Sequence, residues 1–174
     1  AQVFTLTFSD VPLGSVAPFT TLAAPFTVTV EPAGLAADAT IVTGPTAPGF
    51  AGNALTFKGR EGVIFRFSAP VTATGLEFGI AGAAGDPLGI GLVFAFNGVG
   101  SAGAVVPATS AGVQTVSFGA PLTFDQLTLV AQNGDLTIDT FRATLVTPVP
   151  EPGTYALLAT GLLGVGVVAR RRRA

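Results

Sequence analysis

Hydrophobic and polar residues alternate one for one along most of residues 1–147. In the first such run Phe4, Leu6 and Phe8 fall on one face, with Thr5 and Thr7 on the other. The next sets Phe26, Val28 and Val30 against Thr27, Thr29 and Glu31. Val63, Phe65 and Phe67 then oppose Arg66, and Leu76, Phe78 and Ile80 oppose Glu77. A period of two is that of a strand buried on one side, because successive side chains of an extended chain point to opposite faces. Threonine is the favoured outward residue, as β-branched side chains suit a pleated surface.

Turn residues separate the runs. Lys58–Gly62 lies between two of them, and Asn97-Gly98 and Asn133-Gly134 supply the positive φ of tight hairpins. Prolines fall mostly between runs, where no ladder hydrogen bond is lost. About ten or eleven short strands are predicted by this punctuation, with no helical period before Gly153. The expected fold is all-β, an antiparallel β-sandwich of jelly-roll type, followed by one C-terminal transmembrane helix. Leu88–Phe96 is nearly continuous in apolar residues. It reads as a central strand or as an exposed patch that docks on a partner.

Three prolines, Pro148, Pro150 and Pro152, end the last run and give a stiff, extended connector. The domain boundaries are thus residues 1–147 for an extracytoplasmic β-sandwich, 148–153 for the linker and 154–174 for the membrane helix and its basic end. Residues 153–169 carry no charge. As a helix they span about 26 Å, slightly short of a hydrocarbon core of about 30 Å. Arginine side chains snorkelling toward the headgroups make up the difference. Arg170, Arg171, Arg172 and Arg173 hold that end on the cytoplasmic side, which puts the β-domain in the periplasm.

The tail is similar to the PEP-CTERM sorting signal. The resemblance rests on Val149-Pro150-Glu151-Pro152, a small residue and Thr154, the Leu/Gly-rich stretch Leu157–Gly166, and the arginine cluster. It implies a protein exported by a Gram-negative bacterium and held at the inner membrane by its tail. It also implies removal of that tail near Pro150, Glu151 and Pro152 by an exosortase, a membrane protease associated with exopolysaccharide and biofilm production. Extracellular or cell-surface location then follows processing. Export agrees with a chain that starts at Ala1 and contains no Met, from which removal of a secretory leader is expected.

Composition narrows the chemistry. Without Cys there are no disulfides or thiolates, and without His there is no imidazole base or His-ligated zinc. Residues 1–152 hold four basic against ten acidic residues, a net of −6, which excludes nucleic-acid binding. The carboxylates Glu61, Glu77, Asp125, Asp135 and Asp139 are not paired by any spacing, and read as solvated strand faces and turns. The Gly-rich Gly79–Gly91 lacks the Lys-Ser/Thr of a phosphate loop. Carbohydrate binding is not expected, because there is no Trp and the one Tyr, Tyr155, lies in the tail.

The last run, Asn133–Val146, resembles the final strand of PEP-CTERM ectodomains and of jelly-roll carbohydrate-binding modules, which often read Ile-Asp-Asn. Here Ile138-Asp139-Thr140 departs at Thr140. The resemblance implies a structural Ca²⁺ held partly by Asp139, whose parity with Phe141 and Leu145 points it inward; Asp10 is the candidate second ligand. The other readings are that Asp139 bonds Arg142, caps a turn, or faces water at a bulge. No other cofactor is expected.

The expected function is that of a non-enzymatic, exported surface or matrix protein, tethered by its tail. The alternative is a structural subunit that keeps its helix within a larger membrane complex. For that role Ala156, Thr160 and Gly164 recur every four residues and form a small stripe that packs on a neighbouring helix.

Overall fold

The computed structural model describes residues 2–33, 39–50, 52–82, 88–108, 112–132 and 134–146. The linker and tail lie outside these, and with them Pro150, Glu151, Pro152, Ala156, Thr160, Gly164 and Arg170 to Arg173. Among the described residues there is no helix of any kind, and so none long and apolar enough to cross a membrane.

Among the described residues ten antiparallel strands form a β-sandwich consistent with a jelly-roll-like fold. They are β1 (Gln2–Leu6), β2 (Phe19–Ala23), β3 (Phe26–Ala33), β4 (Thr40–Thr43), β5 (Asn53–Phe57), β6 (Gly62–Gly82), β7 (Leu88–Phe96), β8 (Val99–Ala108), β9 (Gly112–Ala131) and β10 (Leu136–Leu145). The alternation predicted for β1, β3 and both ends of β6 is the observed one. Phe4, Leu6, Val28, Val30, Val63, Phe65, Leu76, Phe78 and Ile80 are all buried. Arg66 and Glu31, placed outward by the same alternation, meet on the outer face at 2.7 Å.

Two strands are much longer than predicted. β6 has 21 residues and β9 has 20, and they pair with each other along nearly their whole length. Each belongs to both layers of the sandwich. The first part of β6 (62–67) pairs with β3 and with the end of β9, which continues through β7 to β8. The second part of β6 (73–82) pairs with β10 and with the start of β9. β10 is flanked in turn by β1 at its end and by β5, followed by β4, at its start.

The bend has a local two-fold character. At its centre Thr72 faces Thr123, their hydroxyl oxygens 2.9 Å apart. On one side Phe67–Pro70 of β6 stands opposite the single residue Asp125 of β9; on the other, Phe118–Pro121 of β9 stands opposite Thr74 of β6. The two excursions have nearly the same sequence, Phe-Ser-Ala-Pro-Val-Thr and Phe-Gly-Ala-Pro-Leu-Thr. Proline lacks the amide that the ladder needs, so Pro70 and Pro121 sit where the ladder is interrupted. The interruption also shifts the alternation. Val63, Phe65, Phe67, Val71 and Ala73 face inward at odd positions, whereas Leu76, Phe78 and Ile80 do so at even ones.

Phenylalanine fills the space between the layers. Phe4 of β1 meets Phe67 of β6 edge-on with centroids 5.7 Å apart, and Phe65 stacks on Phe141 at 6.4 Å. Phe67, Phe124, Phe94 and Phe118 continue as a chain of edge contacts at 5.6, 5.1 and 5.2 Å. Each such contact adds about 0.5–1.5 kcal/mol beyond its buried area. β7, the apolar run of the sequence, lies one place in from the sheet edge. Ile90, Leu92 and Phe94 are buried, whereas Val93 is 46% exposed.

Candidate functional site

A concavity lies on the outer face of the layer built by β1, β10, the end of β6 and the start of β9. Its floor is two cross-strand rows. One runs Val3, Thr144, Gly75, Ser117; the other runs Arg142, Glu77, Thr115. Gly75 makes the hollow. It has no side chain, and a Cβ there would stand 2.8 Å from the Val116 carbonyl oxygen. The hollow holds about 370 Å³ and is also lined by Thr74.

Further along β6 the loop after β4 crosses the strand. Gly49, at φ +88°, crosses so tightly over Gly79 that a Cβ on Gly79 would overlap the Gly49 carbonyl oxygen. Both residues are held to glycine by that crossing, Gly49 by its φ and Gly79 by the space left to it.

The chemistry of the groove is mild. Arg142 Nη1 stands 3.4 Å from Glu77 Oε1, both side chains about half exposed, so the pair is worth at most about 1 kcal/mol. Around them are the hydroxyls of Thr74, Thr115, Ser117 and Thr144, and the methyls of Val3. No aromatic ring lines the groove. The surface offers hydrogen bonds of both senses and no net charge.

The two acidic residues proposed as metal ligands have separate surroundings. Asp10, exposed after β1, accepts a 2.6 Å hydrogen bond from the Thr21 hydroxyl and a 3.1 Å one from the Leu22 amide. It clasps β2 to the chain leaving β1, and Thr21 also donates to the Thr7 carbonyl at 3.2 Å. Asp139 is buried, 1% exposed, in the core of the sandwich. It borders a void of about 10 Å³ with Phe8, Phe65, Phe78, Leu129, Ile138 and Phe141, and Asp10 is not among these neighbours.

Asp139 points inward because of a bulge. Leu136 and Ile138 before it, and Phe141 and Ala143 after it, are all buried, so the alternation changes phase across Asp139 and Thr140. Thr140 takes φ +44° to do so. Arg142, a candidate partner of Asp139 in the sequence, turns instead to Glu77 on the outer face. Among the described residues no three carboxylates come together as a metal cluster.

Sequence reasoning missed the groove. Its floor joins four strands from distant parts of the chain, and only Gly75, in the middle of a run of β residues, hinted at it.

No curated protein is similar to the chain in sequence. Among solved structures, a family 29 carbohydrate-binding module, CBM29-2, superposes with a TM-score of 0.48 at 12% identity, over 82% of this chain and 92% of that one. A family two carbohydrate esterase from Cellvibrio japonicus gives 0.42 at 17%, over 87% and 36%. The catalytic unit of a GH87 α-1,3-glucanase from Streptomyces thermodiastaticus gives 0.42 at 16%, over 72% and 28%. The tail gives the specific match: residues 148–173 fit the PEP-CTERM protein-sorting motif. The chain is therefore a β-sandwich that carries a PEP-CTERM sorting signal at its C-terminal end.

Proposed function

We propose that this is a non-enzymatic surface or extracellular-matrix protein, delivered through the inner membrane and released there by an exosortase-type protease. The observation that carries the reading is the match of residues 148–173 to the sorting motif, with its three parts in order: Pro150-Glu151-Pro152, an apolar stretch, and Arg170 to Arg173. The parts divide the work. The apolar stretch partitions into the bilayer, the arginines resist translocation, and the proline-rich segment stands extended at the outer interface, where a protease reaches it. A non-catalytic role fits a chain with neither His nor Cys and a surface groove whose one ionic pair is largely solvated. The domain is expected to be periplasmic until release.

Intact-mass measurement on protein from the producing organism tests this. Mature protein is expected to end at or beside Pro150–Pro152, and replacement of those three residues by alanine is expected to restore a mass that includes Ala174. Native protein retaining Arg173 and Ala174 would overturn the release step. It would support the second reading, a single-pass subunit of a larger membrane complex, which the Ala156, Thr160, Gly164 stripe favours by allowing close helix packing.

A further inference from the structure

The last described residues fix where the domain hands the chain on to the tail. Val146 N donates to Thr72 O at 2.9 Å, and Thr72 stands at the centre of the bend. β10 runs antiparallel to β6, so β6 continues past Thr72, in the direction of exit, as Pro70, Ala69 and Ser68. Thr123 of β9 stands across from Thr72, and the excursion Gly119, Ala120 and Pro121 ends two residues before it. All six of these excursion residues are exposed. None of residues 67–73, 118–123 and 143–146 is charged.

Chain length ties the release site to this corner. Pro150 follows Val146 by four residues and Pro152 by six. Fully extended, those spans reach at most about 14 Å and about 21 Å. A protease holds its substrate as an extended strand over several residues on either side of the bond that it cuts. Such a strand around Pro150-Glu151-Pro152 uses up the chain back to Val146. The enzyme's surface then meets the surface from which Val146 leaves.

We infer that this corner, with its two Ala-Pro projections, is the surface by which the sandwich touches the membrane protease that releases it. The contact rests on the release step proposed above, and adds to it the part of the domain that the enzyme meets. The chemistry of the corner suits such a partner. A protease working at the outer interface approaches from the side on which the tail leaves, and an uncharged surface meets it without stripping water from an ion. The net charge of −6 on residues 1–152 is carried elsewhere. Pro70 and Pro121 fix the backbone of the projections and offer no amide, so stiff surfaces meet there and strands do not pair.

The test follows release of the full chain in the producing organism, as the ratio of tail-bearing to released mass after synthesis is stopped. Ala69→Glu and Ala120→Glu each place a long charged side chain on one projection. Gln132→Glu places one on an exposed residue just past the end of β9, about 30 Å of extended chain from Thr123. Release is expected to slow about tenfold or more in both corner variants, because a clash on so short a leash displaces the bond to be cut. Gln132→Glu is expected to keep the wild-type rate. A flexible Gly-Ser spacer of about ten residues, inserted after Val146, adds about 17 Å of mean reach and is expected to restore both corner variants. Unchanged release in the corner variants would overturn the contact and leave the corner facing lipid or water. So would a loss that the spacer does not restore, which would be a defect of folding or export. A wild-type chain that keeps its tail is a different result: it removes the release step itself, and this contact with it.

Discussion

Thr140 is a β-branched residue held at φ +44°, in the left-handed region, with its hydroxyl oxygen buried and lacking a hydrogen-bond partner. That backbone costs an L-residue about 1–2 kcal/mol, and Asn tolerates it best after Gly. The bulge thus gives a physical reason for the Ile-Asp-Asn reading that this chain resembles and departs from: the third position has to turn the strand over. Thr140→Asn is expected to stabilise the fold by about 1 kcal/mol, read as a higher urea midpoint at unchanged slope. A loss of stability would mean that the threonine methyl packs better than the backbone suffers. Asp139 was legible as an inward carboxylate, but through strand parity; the bulge is what turns it inward. Asp10 was legible only as a carboxylate just after the first strand. Its partners, Thr21 and the Leu22 amide, were not, because a contact eleven or twelve residues away leaves no mark on periodicity.

At the level of elements, alternation was enough to place β1, β3 and the inward faces of β6, since a period of two survives any tertiary setting that buries one face. It could not show that the run ending at Phe67 and the run beginning at Leu76 belong to one strand. Pro70 between them reads as a break, and the two runs differ in parity. The repeated Phe-x-Ala-Pro-x-Thr of β6 and β9 was the available signal, for two segments of one sequence that face each other across a strand pair make a local two-fold. The groove was illegible for a related reason: its rows exist only after this bend brings four strands side by side. The bend is pinned at its centre by Thr72 and Thr123. Changing each to valine singly and together is expected to reveal a coupling of about 0.5–1.5 kcal/mol in a double-mutant cycle on unfolding. Effects that simply add would show that the prolines, and not the hydroxyl pair, hold the two layers at this corner.

For the whole molecule, charge is segregated along the chain: the β-sandwich and linker are acidic, and half of all basic residues stand in the last five positions. Four arginines near the surface of an anionic leaflet are each attracted by about 1 kcal/mol and are costly to carry across the bilayer. An acidic domain has no such preference, so on the proposed reading the tail carries the charge signal for orientation. The expected arrangement has the sandwich outside the inner membrane and Ala174 in the cytoplasm. Because the chain lacks cysteine, one residue at a time reports its side. The variant with Pro150-Glu151-Pro152 replaced by alanine keeps its tail on either reading of the protein, which makes it the right background. In it, Thr74→Cys should react with a membrane-impermeant maleimide in spheroplasts, whereas Ala174→Cys should react only after the membrane is permeabilised. The opposite pattern would put the sandwich in the cytoplasm, out of reach of a protease acting at the outer interface. It would also leave the four arginines on the side that their charge disfavours.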